Sequence, residues 1–400
     1  MLNTPFTSWP LFSQEEANAV SDVLLSNRVN YWTGQEGRLF EQEYAEFSNC
    51  EYAIAVTNGT VAIDLAFKAL GLGKGDEVIV TSRTYLASVS SIVTTGATPI
   101  FTDIDIDSQN ITANSIKKVI TPRTKAIICV HLAGWPCDMD DIIALASKQD
   151  IYVVEDCAQA HGAKYKGKSV GSLGDIGCWS FCQDKIMSTG GEGGMVTTND
   201  KELWSKMWSY KDHGKSWEAV YEKQHPSGFR WLHESFGTNW RLTEMQAAIG
   251  RIQLKRMPLW HEARLKYAKQ IWACASKVPG LRVPELPGNI EHAAYKCYVF
   301  IETEKLTTNW NRDRIMDEIN NHGVPCFSGS CSEVYLEKAF DNTGWRPEHP
   351  LPVAHELGET SLMFLVHPTL TKNEINTTCN ILTTVMLEAT IDINNNLDTC

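Results

Sequence analysis

Residues 52–70 read YAIAVTNGTVAIDLAFKAL. YAIAVT (52–57) is an apolar run of strand length. TVAIDLAFKAL (60–70) repeats its apolar residues at helical spacing and stops at Gly71. A strand that turns through Asn58 and Gly59 straight into a helix is the opening half of a crossover unit. The same rhythm runs on. EVIVT (77–81) reads as a strand and YLASVSSIVTT (85–95) as a helix. TPIFTDID (98–105), KAIICVHLAG (125–134) and IYVVEDC (151–157) read as strands, separated by the helices NSIKKVI (114–120) and DMDDIIALASKQ (138–149). IGCWSF (176–181) and GMVTTN (194–199) add two strands. Alternating strands and helices, with strands apolar almost throughout, predict an α/β domain whose mainly parallel sheet is covered on both faces.

Outside this block the texture changes. Ser13 followed by Glu16 is a capping box that starts a helix over 13–27. Beyond 200, ELWSKMWSYKDHG (202–214), RLTEMQAAIGRIQLKRM (241–257) and HEARLKYAKQIWACASKV (261–278) are helical. LRVPELPGN (281–289) reads as a proline-rich hinge into a smaller C-terminal α/β domain. That domain has a strand at 294–303 and helices at 312–323 and 372–390. The expected division is an N-terminal helix and arm (1–30), a large domain (31–257), a small domain (258–390) and a polar tail (391–400).

Bulk composition bounds the function. A chain of 400 residues with 43% apolar residues can bury a substantial core. A net charge of −12 argues against a general nucleic-acid binder. No run approaches the roughly eighteen apolar residues of a membrane span, and the first twenty residues do not read as a signal peptide. The twelve cysteines include no CxxC pair, so free thiols, no metal centre and a cytoplasmic location are expected.

Three local features carry chemistry. Asn58, Gly59 and Thr60 begin a helix, where free N–H groups and the positive dipole end suit phosphate, although an ordinary cap looks the same. VEDCAQAHG (154–162) ends a strand on acids, at the edge where open α/β sheets bind ligands. GCWSFCQDKIMSTGGEGGM (177–195) sets Lys185 between an apolar strand and a glycine-rich turn. A secluded lysine can form a Schiff base with a carbonyl compound. A phosphate cradle, an acid and such a lysine on one sheet edge are the parts of a pyridoxal phosphate site.

The blocks at 57–88, 96–107, 121–142, 154–181, 184–200 and 237–254 together resemble the DegT/DnrJ/StrS family of sugar aminotransferases, over nearly the whole chain. The resemblance implies the fold type I, aspartate aminotransferase-like architecture, with a seven-stranded type of sheet and pyridoxal 5'-phosphate as cofactor. By residue, it makes Lys185 the catalytic lysine and Asp156 the partner of the pyridine nitrogen. Gln159 meets the ring and Tyr85 stacks on it. Asn58, Gly59, Thr60 and Ser180 hold the phosphate, and Asn239 does so from a neighbouring subunit, which implies a homodimer with shared sites. Relatives with histidine in place of the lysine dehydrate sugars, so Lys185 favours transamination over a dehydratase; a non-catalytic regulatory protein would keep the lysine, but no DNA-reading element is evident and the net charge is acidic. L-Glutamate is the implied donor. The acceptor is a keto sugar, either a nucleotide-linked 4-keto-6-deoxy hexose or an oxidised octulosonate of lipopolysaccharide synthesis. Arg241 is the candidate for the donor carboxylate. His322, Cys326, Ser330, Glu333 and Tyr335 are expected where the small domain closes over the site.

Overall fold

A computed structural model describes residues 6–390. The expected tail at 391–400 and the first five residues of the expected arm lie outside them. In the large domain the strands are β1 (Tyr52–Val56), β2 (Glu77–Thr81), β3 (Thr98–Thr102), β4 (Thr124–Val130), β5 (Tyr152–Asp156), the short hairpin β6 (Lys164–Tyr165) and β7 (Lys168–Ser169), β8 (Ile176–Ser180) and β9 (Gly194–Thr198). Seven of these form one sheet in the order β1-β9-β8-β5-β4-β2-β3. Only β9 runs against its neighbours, so β1, β5 and β8 end on the same edge.

Successive side chains of a strand point to opposite faces, and each face is covered by its own helices. Val78 and Val80 pack with Ile63 and Phe67 of α3 (Gly59–Ala69), with Val89 and Ile92 of α4 (Ala87–Thr95), and with Met207 of α7 (Lys201–Lys211). Ile79 turns the other way, toward Ile116 of α5 (Ala113–Lys117) and Ile142 of α6 (Met139–Ser147). Further along that second face Trp179 and Met195 meet Phe40 and Tyr44 of α2 (Glu36–Phe47) and Leu254 of α9 (Glu244–Ala275).

Two helices expected at 241–257 and 261–278 are one helix, α9, with Pro258 inside it. Pro258 is exposed, so its ring falls on the solvent side of the helix. The expected domain boundary at 257/258 therefore falls within a continuous helix. The C-terminal half of α9 packs Ile271 and Ala275 against the small domain. There, β10 (Leu281–Arg282), β12 (Cys297–Ile301), β14 (Ser361–Phe364) and β13 (Cys326–Phe327) form a four-stranded antiparallel sheet. α10 (Arg312–Asn321) and α12 (Lys372–Ala389) cover it. The expected helix at the N-terminus is α1 (Gln14–Leu25); the buried Glu16 carboxylate accepts the Ser13 N–H at 2.6 Å and the Gln253 side chain at 2.9 Å. No helix among the described residues is long and apolar enough to cross a membrane.

Candidate active site

Register builds the site. Val56 and Ser180 both pair with Gly194, from opposite sides. The turn after β1 is therefore carried next to the end of β8. A Cβ on Gly59 would stand 2.6 Å from the Ser180 Cβ, so only glycine permits this approach. Asn58 caps α3, its side-chain oxygen accepting the Val61 N–H at 2.9 Å. Gly59 and Thr60 line the cavity, and their amides, in the first turn, have no intrahelical acceptor. Free amides at a helix N-terminus can hold an anion.

Asp156 closes β5, one strand further along the same edge. Its Oδ2 accepts the Ser88 hydroxyl at 2.8 Å and its Oδ1 the Ala158 N–H at 3.1 Å. Burial pushes its carboxyl above the usual range, against the pull of those hydrogen bonds and of Lys185. A carboxyl in that state is suited to a cationic ring nitrogen, which would restore its charge. Gln159 accepts the Ala133 N–H at 2.8 Å through its carbonyl oxygen, which fixes its amino end as the donor on the cavity side. Tyr85 leaves its ring 74% exposed at the rim, a flat apolar surface ready to be covered.

Lys185 follows β8 in a turn anchored by Phe181 N–H to Gly193 carbonyl at 2.8 Å and Thr189 N–H to Phe181 carbonyl at 3.2 Å. Its own carbonyl accepts the Trp9 indole N–H at 2.7 Å. Its side chain is 18% exposed, with Nζ 3.9 Å from Asp184 and 5.2 Å from the Tyr295 ring centre. Asn58, Gly59, Thr60, Tyr85, Asp156, Gln159, Ser180 and Lys185 thus line one cavity of about 610 Å³. An adjoining cavity of about 430 Å³, shared with the small domain, is reached past Tyr85 and Lys185 and is walled by Tyr298, Phe327, Ser330 and Met363.

Apart from Ser330, the structure does not bring the remaining expected residues to these two cavities. Asn239 is exposed, paired with Asp212 through a backbone bridge, and outside this chain's own cavity. Arg241 donates to the fully buried Asp212 at 2.7 Å, so its charge is spent within the fold. His322 is exposed at the end of α10, its ring set against the Glu318 carbonyl. Glu333 is taken up by the Tyr335 hydroxyl at 2.6 Å and by His355 at 2.9 Å. Tyr335 itself packs edge-on against Phe101 and Phe340 in the core. Cys326 is buried in β13 and walls neither cavity; of that group Ser330 alone does. Sequence reading missed Ser88, Trp9 and Tyr295. Ser88 lies in the YLAS segment and follows Tyr85 by three residues, whereas the other two come from far along the chain. All the described cysteines are free thiols. Among the described residues the one buried cluster with metal-ligand chemistry, His131, Glu155 and Cys157, is closed by hydrogen bonds: Glu155 accepts the amides of Gly171, Leu173 and Gly174 and faces His131 at 2.9 Å.

Comparison with known proteins agrees with this geometry. The GDP-perosamine synthase of Escherichia coli O157:H7 is 44% identical over 250 residues, 62% of this chain and 65% of that protein. The UDP-N-acetyl-3-dehydro-alpha-D-glucosamine 3-aminotransferase of Acidithiobacillus ferrooxidans is 35% identical over 87% of this chain and 88% of its own length. The crystal structure of an aminotransferase from Psychrobacter cryohalolentis superposes with a TM-score of 0.95 at 63% identity, covering 96% of this chain and all of that one. The family model of the DegT/DnrJ/EryC1/StrS aminotransferases matches residues 10–383. With a helix cradle, a buried acid and a lysine on one sheet edge, the chain belongs to the DegT/DnrJ/EryC1/StrS aminotransferase family, whose members work with pyridoxal phosphate on the fold type I scaffold.

Proposed function

We propose that the protein transfers an amino group from L-glutamate to a nucleotide-linked keto sugar. One observation carries the reading: Gly59, Thr60, Asp156 and Lys185 line one cavity, and Lys185 also lines an adjoining one of about 430 Å³. Gly59, Thr60 and Ser180 would hold the cofactor phosphate, and Asp156 the protonated ring nitrogen. Gln159 and Tyr85 would fix the ring plane. When bound, pyridoxal phosphate supplies an aldehyde that takes up amines and a ring that withdraws electrons from the neighbouring carbon. Lys185 Nζ would hold that aldehyde and give way to the donor amine; its free amine would then be placed to accept the donor's α-proton and to deliver a proton one carbon away, with water supplying the oxygen of the departing keto acid. A keto sugar next enters beside Ser330, and Lys185 moves a proton in the reverse sense. Both relatives act, by their names, on or toward nucleotide-linked sugars, which favours such an acceptor over a free octulosonate.

The reading includes a homodimer. Asn239 sits at the base of a segment that exposes Phe229, Trp231 and Phe236, an apolar group that a second copy would cover. Asn239 would then meet the partner's cofactor phosphate.

The test is spectroscopic. L-Glutamate added to the holoenzyme should convert the pyridoxal absorbance to the pyridoxamine form. A nucleotide-linked keto sugar should reverse it and yield an amino sugar by mass spectrometry. A Lys185→Ala protein that still converts with glutamate would sink the assignment. Mixing inactive Lys185→Ala and Asn239→Ala subunits should restore part of the activity, and verified heterodimers without any would remove Asn239 from the site.

A further inference from the structure

Beside the cofactor cavity lies a third cavity of about 310 Å³, walled by Thr7, Ser8, Trp9, Arg264, Lys296 and His367. Lys296, Tyr295, Asp184 and Leu365 also wall the cavity next to Lys185, so the two are neighbours. Lys185 and Lys296 place their ammonium groups 5.2 and 4.8 Å from the same Tyr295 ring centre.

The chemistry of this cavity is unusual. Arg264 is 1% exposed, yet its Nε and Nη2 have no hydrogen-bond acceptor among the described residues. Nη1 has only a long contact, 3.4 Å, to the Tyr295 carbonyl, and the Trp9 ring lies 5.0 Å from its Cζ. Buried guanidinium groups are ordinarily paired, because desolvating an unpaired one is costly. The nearby acids are occupied. Asp184 accepts the Tyr295 hydroxyl at 2.5 Å and neighbours Lys185. Glu374 accepts the amides of Thr7 and Thr371. Burial holds Lys296 down to about 8 and Arg264 down to about 9, the sense expected of cations that lack a counter-charge. The planar fork of Arg264 matches a carboxylate.

We propose that Arg264 and Lys296 form a subsite for the side-chain carboxylate of the amino donor, which makes the enzyme selective for a dicarboxylic amino acid over a monocarboxylic one. The subsite replaces Arg241 as the donor's cation. It rests on the aminotransferase reading but names its donor class from residues that the reading does not use.

The test compares holoenzymes of the wild type, Arg264→Met, Arg264→Lys and Lys296→Met. Each is given L-glutamate or L-alanine, with cofactor absorbance followed. Removing the guanidinium should lower the glutamate-to-alanine ratio of kcat/KM by roughly 10- to 100-fold, the loss of a charge-assisted hydrogen bond, mainly through the KM for glutamate. Lys296→Met should act in the same direction, and Arg264→Lys should recover part of the ratio. Succinate, a dicarboxylate with no amine, should raise the wild-type Tm and leave that of Arg264→Met unmoved. An unchanged ratio in folded, cofactor-loaded Arg264→Met and Lys296→Met overturns the proposal, as does an equal loss for both amino acids. A Tm response to phosphate or UDP but not to succinate also overturns it, because the anion would then belong to the acceptor. If wild type fails to react with glutamate, the transaminase reading falls, while the succinate response still decides the subsite.

Discussion

Asp156 and Gly59 are small residues on which much of the site depends. In the cofactor-free protein, burial holds the Asp156 carboxyl above its ordinary range. The folded state therefore binds that proton more readily than the unfolded chain. Its contribution is most favourable at acid pH and is lost as pH rises from the ordinary carboxylate range through the raised value. Asp156→Asn should thus raise the unfolding midpoint of the cofactor-free protein at neutral pH, by calorimetry, while weakening cofactor binding. A lower midpoint without cofactor would mean that Asp156 is structural. The Lys185 side chain borders the cavity, and the turn behind it is tied down by backbone bonds at Phe181.

At the scale of elements, α3 matters most. Its first turn is held against β8 by the absence of side chains at Gly59 and Gly194; a Cβ on Gly194 would stand 2.4 Å from the Asn58 carbonyl. Gly59→Ala would push the helix N-terminus away from Ser180 and spread the amide cradle. It should cost about 1–3 kcal/mol of stability, the usual range for overpacking. Cofactor affinity, titrated by absorbance, should fall at least about tenfold, and more steeply than stability does. Equal pyridoxal phosphate affinity in wild type and variant would show that the phosphate does not sit at this turn. α9 works differently. It joins both domains, because Leu254 serves the large core and Ile271 the small one. Pro258 between them is exposed, so its ring meets solvent and not either packing face.

For the molecule as a whole, buried histidines set the acid limit. His161, His292 and His367 are each held down to about 3, chiefly by burial. All three stay neutral in the fold but take up protons near pH 6.5 when unfolded. Their share of stability is therefore complete above that pH and is lost as pH falls toward 3, at roughly 1.4 kcal/mol per pH unit for each group. His161 lies among Tyr44, Trp179 and Phe181, with neither ring nitrogen bonded among the described residues. His161→Phe should flatten the urea-unfolding stability profile between pH 6 and 4 by about one proton. An unaltered slope would place the acid sensitivity elsewhere.

Much was determined by the order of residues alone. The alternation of apolar strands and amphipathic helices from Tyr52 to Thr198 specifies the doubly covered sheet, because burial on both faces needs that pattern and it is local. Asn58 to Thr60, Asp156, Ser180 and Lys185 were legible for the same reason: each sits within a few residues of a strand end, and ends of parallel strands share an edge. The partners of charges were not legible. Arg241 and Arg264 look alike in the sequence, but folding places a buried aspartate beside the first and leaves Nε and Nη2 of the second without an acceptor among the described residues, beside a cavity. Trp9 reaches the carbonyl of Lys185, and Tyr335 turns into the core rather than toward the ligand. These outcomes depend on which segments meet across long stretches of chain, so only the tertiary structure decides where a charge is neutralised and where it stays available to a substrate.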